Sequence, residues 1–289
     1  QVSFNRTKNL AYQESGPSGI SFSGGYDLLE QEENVLQYSY NLPYIDDSGA
    51  LVPNWRNEDT QSMKLLTVPR HQRLPVFTMK DIRGHWAEEE IERLVSVGAF
   101  SPTLQNFGPG LDITRGDFAR AVAGLTNMQP PAEPTRNLRG SRAAASEQSP
   151  FADVPVTHPA YQQIKEMVRR GAIQGVRTGM FNPGGYLTRA EAAAILVRSL
   201  GFEGLAPNPS YRTRYLDDSD IPSWARDAVY VSTELGLVKG FGEPGSSYYR
   251  FLPQETLSRA EAAVLLDGLR EYLMNDMKKD YRDRLLSRR

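Results

Sequence analysis

Thr188-Arg189-Ala190-Glu191 is the stretch whose reading decides the fold, because it recurs. Ser258-Arg259-Ala260-Glu261 repeats it, and Thr114-Arg115-Gly116-Asp117 is a looser copy, the arginines lying 74 and then 70 residues apart. Each tetrapeptide opens an apolar pattern of helical period: Phe118, Ala121, Val122 and Leu125; Ala192, Ile195 and Leu196; Ala262, Leu265, Leu266 and Leu269. A hydroxyl followed three residues later by a carboxylate is a capping box, in which the side chain accepts from the third amide and the carboxylate reaches back to the cap amide. The pattern therefore predicts three helix starts, each with an arginine at its first helical position.

A second landmark precedes each start. His85-Trp86-Ala87 matches His158-Pro159-Ala160 and Ser223-Trp224-Ala225, with an aspartate upstream of each at Asp81, Asp153 and the pair Asp217-Asp218. Gly98, Gly171 and Gly236 follow twelve residues after Trp86, Pro159 and Trp224, a spacing that suits one helix of about three turns closed by a glycine. The first two helices carry clear apolar stripes (Ile91, Leu94, Val95; Ile164, Met167, Val168); the third is weaker, with Val229 followed by Ser232 and Thr233. Phe107-Gly108-Pro109-Gly110, Phe181-Asn182-Pro183-Gly184-Gly185 and Phe251-Leu252-Pro253 occupy corresponding places and read as tight turns before the second helix. Each unit is thus turn, helix, glycine stop, loop, capped helix.

With 289 residues the chain is long enough for a core and for one to three domains. Its net charge of −2 offers no bulk positive field for nucleic acid, and no apolar run reaches the roughly 18 residues of a membrane span. There are no cysteines, which excludes disulfides, thiolate metal sites and cysteine nucleophiles. The chain starts at Gln1 rather than Met, as a processed, exported chain or a fragment would. The divisions expected are an N-terminal β-rich or extended segment over 1–76, repeats over 77–128, 149–201 and 215–271, linkers over 129–148 and 202–214, and a charged tail over 272–289. In the first segment Gly19–Ser23 and Val35–Tyr40 favour strands, with turns expected at Asp47-Ser48-Gly49 and Pro53-Asn54.

The three units resemble the S-layer homology repeat, through Asp-Ile-x-Gly-His-Trp-Ala, the glycine twelve residues on, the aromatic turn and Thr-Arg-Ala-Glu. The resemblance implies a mainly α fold, with three repeats in a pseudo-threefold, three-pronged arrangement around a central helix bundle. It also implies a function: grooves between the prongs bind an acidic secondary cell-wall polysaccharide, often carrying pyruvate ketals. By position it points to Arg115, Arg189 and Arg259 as contacts for the anionic sugar, with Asp81, Asp153, Asp218, Trp86 and Trp224 helping to form the pockets. The copies depart from that pattern at Gly116-Asp117, at Pro159 in place of a tryptophan, and in the long third loop, so the three grooves are not expected to be equivalent.

The arginines can be read from physics as well. A helix N-terminus carries about half a positive charge, and a cation beside it loses ~0.3–1 kcal/mol. An anion bridging the guanidinium and free helix amides would relieve that, and a guanidinium fork suits a carboxylate. The alternative is that each arginine pairs with a neighbouring Asp or Glu and clips the helix in place; both can hold together. Trp86 and Trp224 read as core anchors or as flat faces for a sugar, and His85 and His158 as turn residues. Asp217-Asp218-Ser219-Asp220 lacks the ligand spacing of a calcium loop.

The functional expectation is a non-catalytic anchor of the bacterial cell surface or wall, needing no metal or cofactor, with cell-wall polysaccharide or a peptidoglycan-linked glycan as partner. Residues 1–76 show no nucleophile–base pair or paired catalytic carboxylates. The alternative is a structural subunit of a surface layer or filament, assembled with itself or with other surface proteins through residues 1–76, with the repeats as tether.

Overall fold

The computed structural model describes residues 2–15, 25–45, 47–75, 77, 79–101, 105–126, 128, 149–207, 211–242 and 249–275. The linker expected at 129–148, the strand at Gly19–Ser23 and most of the tail lie outside them. The chain divides into two compact units, 1–76 and 77–289.

The first unit is an antiparallel sheet. Strand β1 (Val2–Ser15) pairs along β2 (Gly25–Ile45) from Val2 opposite Tyr38 to Ser15 opposite Gly25. The other edge of β2 carries β3 (Leu51–Leu66) and then β4 (Arg70–Arg73), which continues the same line beyond Thr67. Thr67 holds the join: its amide donates to the Glu32 carbonyl at 2.9 Å, and its hydroxyl accepts from the Glu32 amide at 2.9 Å. The turn between β2 and β3 falls at residues 47–49, with Gly49 at φ +84°. Pro53-Asn54, expected as a turn, lies inside β3. That strand runs along the edge of the sheet, and its register with β2 shifts near Pro43 and Ile45, where a proline without an amide is tolerated. No described side chain on the four strands is buried.

Among its described residues the second unit holds six α-helices: α1 (Glu88–Ser96), α2 (Arg115–Leu125), α3 (Tyr161–Arg169), α4 (Arg189–Leu200), α5 (Ser223–Glu234) and α6 (Arg259–Asn275). Beside three long strands and one short one they make a mixed chain rather than a mainly helical one. The second helix of each pair starts where the capping pattern predicts. Thr114, Thr188 and Ser258 accept from the amides of Asp117, Glu191 and Glu261 at 3.1, 3.3 and 3.2 Å. Glu191 and Glu261 complete the box by accepting from the Thr188 and Ser258 amides. The first helix of each pair stops at Gly98, Gly171 or Gly236, at φ +79°, +74° and +72°, a conformation in which a Cβ is costly. In α5 the weak stripe is explained by its hydroxyls: Ser232 is fully buried, and it and Thr233 donate to the Val229 carbonyl at 3.1 and 2.6 Å.

Between repeats, α2 packs on α3, α4 on α5 and α6 on α1, while α2 also meets α4 and α6. These contacts bury Phe118, Ile164, Met167, Leu196, Val229, Leu266 and Leu269 in a shared core. The α6–α1 contact adds charge: Asp267, buried, takes Arg93 from α1 and Arg270 from its own helix. The segments that enter α2, α4 and α6 bond to one another in a closed ring. Ile113 donates its amide to the Leu257 carbonyl (2.8 Å), Leu257 to Leu187 (2.9 Å) and Leu187 to Ile113 (3.2 Å). No helix among the described residues is long and apolar enough to cross a membrane.

Candidate functional site

The three aromatic turns organise everything around the arginines. In each, an upstream aspartate accepts two consecutive amides: Asp81 from Phe107 (2.9 Å) and Gly108 (2.6 Å), Asp153 from Phe181 (2.9 Å) and Asn182 (2.6 Å). In the third repeat Asp217, not Asp218, does this, taking Phe251 (2.8 Å) and Leu252 (2.7 Å). The residue after each phenylalanine is left-handed: Gly108 at φ +70°, Asn182 at +59° and Leu252 at +57°. Burial alone would push the Asp81 and Asp153 carboxyls up, but the donated amides outweigh it and hold both below the usual aspartate value. Asp218 sits apart. It accepts from the amide and hydroxyl of Thr213 (2.8 and 2.7 Å) and pairs with Arg226 at 2.8 Å, so it ties the linker to α5. The sequence offers Asp217 and Asp218 as neighbours, and only the turn geometry separates them.

The carbonyl of the same phenylalanine receives an arginine from the preceding repeat in the cycle. Arg115 Nε donates to Phe181 (3.1 Å), Arg189 Nε to Phe251 (2.7 Å) and Arg259 Nε to Phe107 (2.8 Å). Each guanidinium also lies near that ring, 5.1, 5.4 and 4.6 Å from the centroids of Phe181, Phe251 and Phe107. Arg115 and Arg189 are 5% exposed.

Arg115 is matched on every nitrogen, with Nη1 on Glu191 at 2.5 Å and Nη2 on the Gln174 carbonyl at 3.4 Å. Arg189 is less fully neutralised. Nη2 donates to the Lys239 carbonyl at 3.0 Å, but Glu261 stands 3.6 Å from Nη1, and Phe241 covers the guanidinium at 4.3 Å. For Arg259 the nearest acid is Asp117 at 3.9 Å. Burial lowers the pKa of Arg189 and of Arg259, their acid neighbours pulling the other way.

The helix amides beside these arginines are not open to an anion. The amides of Arg115 and Gly116 donate to the Gly185 and Pro183 carbonyls, those of Arg189 and Ala190 to Glu255 and Pro253, and those of Arg259 and Ala260 to Leu111 and Pro109, at 2.7–3.1 Å. The third amide in each goes to the cap hydroxyl. The expectation that an anion bridges guanidinium and free amides is therefore overturned: the loop of the next repeat fills that role. A Cβ at Gly116 would stand 2.9 Å from the Pro183 carbonyl oxygen, which explains why the first repeat departs from alanine there.

One cavity of about 300 Å³ opens beside Arg115. It joins three repeats: Arg115 from the first, Gln174, Val176, Glu191 and Arg198 from the second, and Trp224 from the third. Trp224 and Trp86 are exposed, at 52% and 65%, and are not core anchors. The reason lies in register: the buried neighbours are Ala87 and Ala225, and the tryptophans fall on the other side of the helix entry. His85 and His158 accept from the Ala87 and Ala160 amides at 3.2 and 3.1 Å, so both act as turn residues. Among the described residues no group of three or more His, Asp or Glu could hold a metal. Arg198 was missed by sequence reading. Its signal was available, since the position nine residues after each repeat arginine is Gly124, Arg198 and Gly268.

The family model described as "S-layer homology domain" matches residues 78–119, 150–193 and 214–263. The chain carries three tandem S-layer homology repeats. It is similar to a protein named "Exoglucanase XynX" from Acetivibrio thermocellus, 29% identical over 259 residues, covering 86% of this chain and 21% of that protein. The "Surface-layer 125 kDa protein" of Lysinibacillus sphaericus is 26% identical over 181 residues, 62% of this chain and 14% of its own. The "S-layer protein sap" of Bacillus anthracis is 31% identical over 116 residues, 40% of this chain and 13% of its own. The chain thus spans about a fifth or less of the length of these relatives.

Proposed function

We propose that residues 77–289 form a non-catalytic anchor that holds the protein at a bacterial cell surface by binding an acidic, pyruvylated secondary cell-wall polysaccharide between repeats. The observation that carries this reading is the cleft where Arg115, Arg198 and Trp224 converge from three repeats. A cation and a flat apolar ring facing one space suit a carboxylated sugar, whose ketal methyl and ring face stack while its carboxylate pairs. Arg189 and Arg259 support it further, because each is desolvated while its acid stands beyond hydrogen-bonding distance. Asp81, Asp153 and Asp217 act through the turns, holding the phenylalanine carbonyls that seat the arginines. Several weak clefts in one rigid unit would combine on a repeating polymer. The surface-layer relatives give the same direction for localisation.

We infer as well that the repeats form a pseudo-threefold, three-pronged unit about α2, α4 and α6. Support comes from the closed ring of amide bonds among Ile113, Leu187 and Leu257 and from the cyclic order of the arginine contacts.

Titration calorimetry of the full chain with purified wall polysaccharide tests the proposal. Native polymer binds and carboxyl-reduced polymer does not; equal heats for both, or none for the native polymer, would refute it.

A second reading, a structural subunit assembled through residues 1–76, draws on the unburied sheet, where Leu42, Ile45, Leu51, Met63 and Leu65 are all more than half exposed. A four-stranded sheet needs a second layer to bury such side chains. Deletion of residues 1–76 then turns an oligomer into a monomer in size-exclusion chromatography, and an unchanged elution state speaks against assembly.

A further inference from the structure

We propose that Arg198, rather than Arg115, is the guanidinium that receives the anion in the cleft between the first and second repeats, and that it makes this cleft chemically distinct from its two cyclic counterparts. The inference rests on the anchor reading above.

Arg115 is a poor receptor. It is 5% exposed, and its Nε, Nη1 and Nη2 are all engaged by Phe181, Glu191 and Gln174. Its acid partner lies at hydrogen-bonding distance, so the pair is neutral before any ligand arrives. Glu191 is itself fully used, since its other oxygen takes the Thr188 amide and hydroxyl. What remains on the cavity wall is Arg198, two turns further along α4 on the same face as Ala194 and Ile195. Its Nε is held by Glu203 at 2.6 Å, which fixes the fork while its terminal nitrogens remain as donors. Glu203 is 52% exposed at its side chain, so the pair is solvent-screened rather than sealed.

The other repeats cannot make this arrangement. The matching residues are Gly124 in α2 and Gly268 in α6. The cleft beside Arg189 has Phe241 where the first has Val176. The position matching Trp224 is Trp86 for that cleft and Pro159 for the one beside Arg259. One cleft therefore combines an added cation with one ring. The next trades the cation for a second ring, and the third has neither the added guanidinium nor the tryptophan. Carboxylate selectivity is expected to concentrate in the first.

The test uses the full chain with tryptophan indoles labelled for NMR, so that Trp224 reports the first cleft and Trp86 the second. The probes are a methyl hexopyranoside carrying a 4,6-pyruvate ketal acid and the methyl ester of the same ketal. In the unaltered protein the acid shifts the Trp224 indole at lower concentration than the ester. Arg198→Ala weakens the acid at Trp224 by about tenfold and leaves the ester unchanged, and Arg198→Lys restores part of the loss. Gly268→Arg, where a Cβ meets only the Leu237 carbonyl oxygen at 3.9 Å, gains acid preference at Trp86. If the unaltered protein binds the acid and Arg198→Ala binds it equally well, the assignment of Arg198 is overturned and the anchor reading stands. If neither indole responds to the acid in the unaltered protein, the anchor reading itself fails. Far-UV circular dichroism of Arg198→Ala that matches the parent assigns the loss to the missing guanidinium and not to unfolding.

Discussion

Replacing Arg189 with leucine separates the structural work of a repeat arginine from any contact with ligand. Arg189 reaches from the second repeat into the third and donates two charged hydrogen bonds to the carbonyls of Phe251 (2.7 Å) and Lys239 (3.0 Å). Bonds of that kind contribute about 1.5–3 kcal/mol each, and their removal leaves the buried Phe251 carbonyl oxygen without its arginine donor, while the Lys239 carbonyl, on an exposed residue, can turn to water. Part of that loss is offset, because the cation no longer has to be buried with its acid 3.6 Å away and leucine packs against Phe241 and Phe251. The net cost is about 2–4 kcal/mol. For a unit of this size each kcal/mol moves the midpoint by ~2–4 °C, so the unfolding temperature followed at 222 nm falls by roughly 5–15 °C. The signal is specific to the repeats, since the described N-terminal unit has no helix. Arg189→Lys does not restore stability, because one ammonium on a flexible stem cannot span both carbonyls. A leucine variant melting within about 2 °C of the parent would refute the clamp, and with it the claim that the arginines build the clefts before they serve them.

Asp217→Ala frees the Phe251 and Leu252 amides, so both exchange with solvent far faster in hydrogen-exchange mass spectrometry, whereas Asp218→Ala leaves them protected; the reverse pattern would overturn the assignment. Leu252→Asn, placing in the third turn the residue the second already uses, relieves a left-handed leucine and raises the unfolding free energy from urea melts by about 0.5–1 kcal/mol, reduced by whatever packing the half-buried leucine supplies; a lowered midpoint contradicts it. In acid, Asp81, Asp153 and Asp218 have folded pKa values below their ordinary 3.8, and Arg169 and Arg170 pull Glu166 down from 4.5 to about 2. Depressed values mean stability that is complete above about pH 5 and lost as pH falls toward 2, so urea midpoints measured across that window decline with acid; a flat profile would show that these carboxylates carry no linkage.

The helix starts, the glycine stops and the aromatic turns were all legible, because each is written within a few adjacent residues: Thr188 with Glu191, Gly171 after Val168, Phe181 before Asn182. What joins the repeats was not. The bonds from Arg189 and Ala190 amides to Glu255 and Pro253 connect segments more than 60 residues apart through carbonyls, and a carbonyl leaves no mark on residue identity. That is why the helix mouths looked open to an anion and are in fact filled by the neighbouring loop. Asp217 and Asp218 could not be told apart for a related reason: both are acidic and adjacent, and only the direction of the chain entering Asp218–Asp220 decides which carboxylate meets the turn. The tryptophans stayed open between core anchor and sugar-facing ring because a large ring at a helix entry is more often buried than not, while here alanines at 87 and 225 take the inward positions. Arg198 was overlooked for the opposite reason. Its sequence looks like an ordinary solvated helix position until the fold sets it across a cavity from Trp224.

The anchoring claim is tested most directly by retention on isolated wall sacculi. Full-length chain applied to sacculi with intact pyruvate ketals should stay in the pellet and be released by soluble native polymer, while sacculi stripped of their ketals by mild acid should leave it in the supernatant. Equal retention on both preparations would contradict the account.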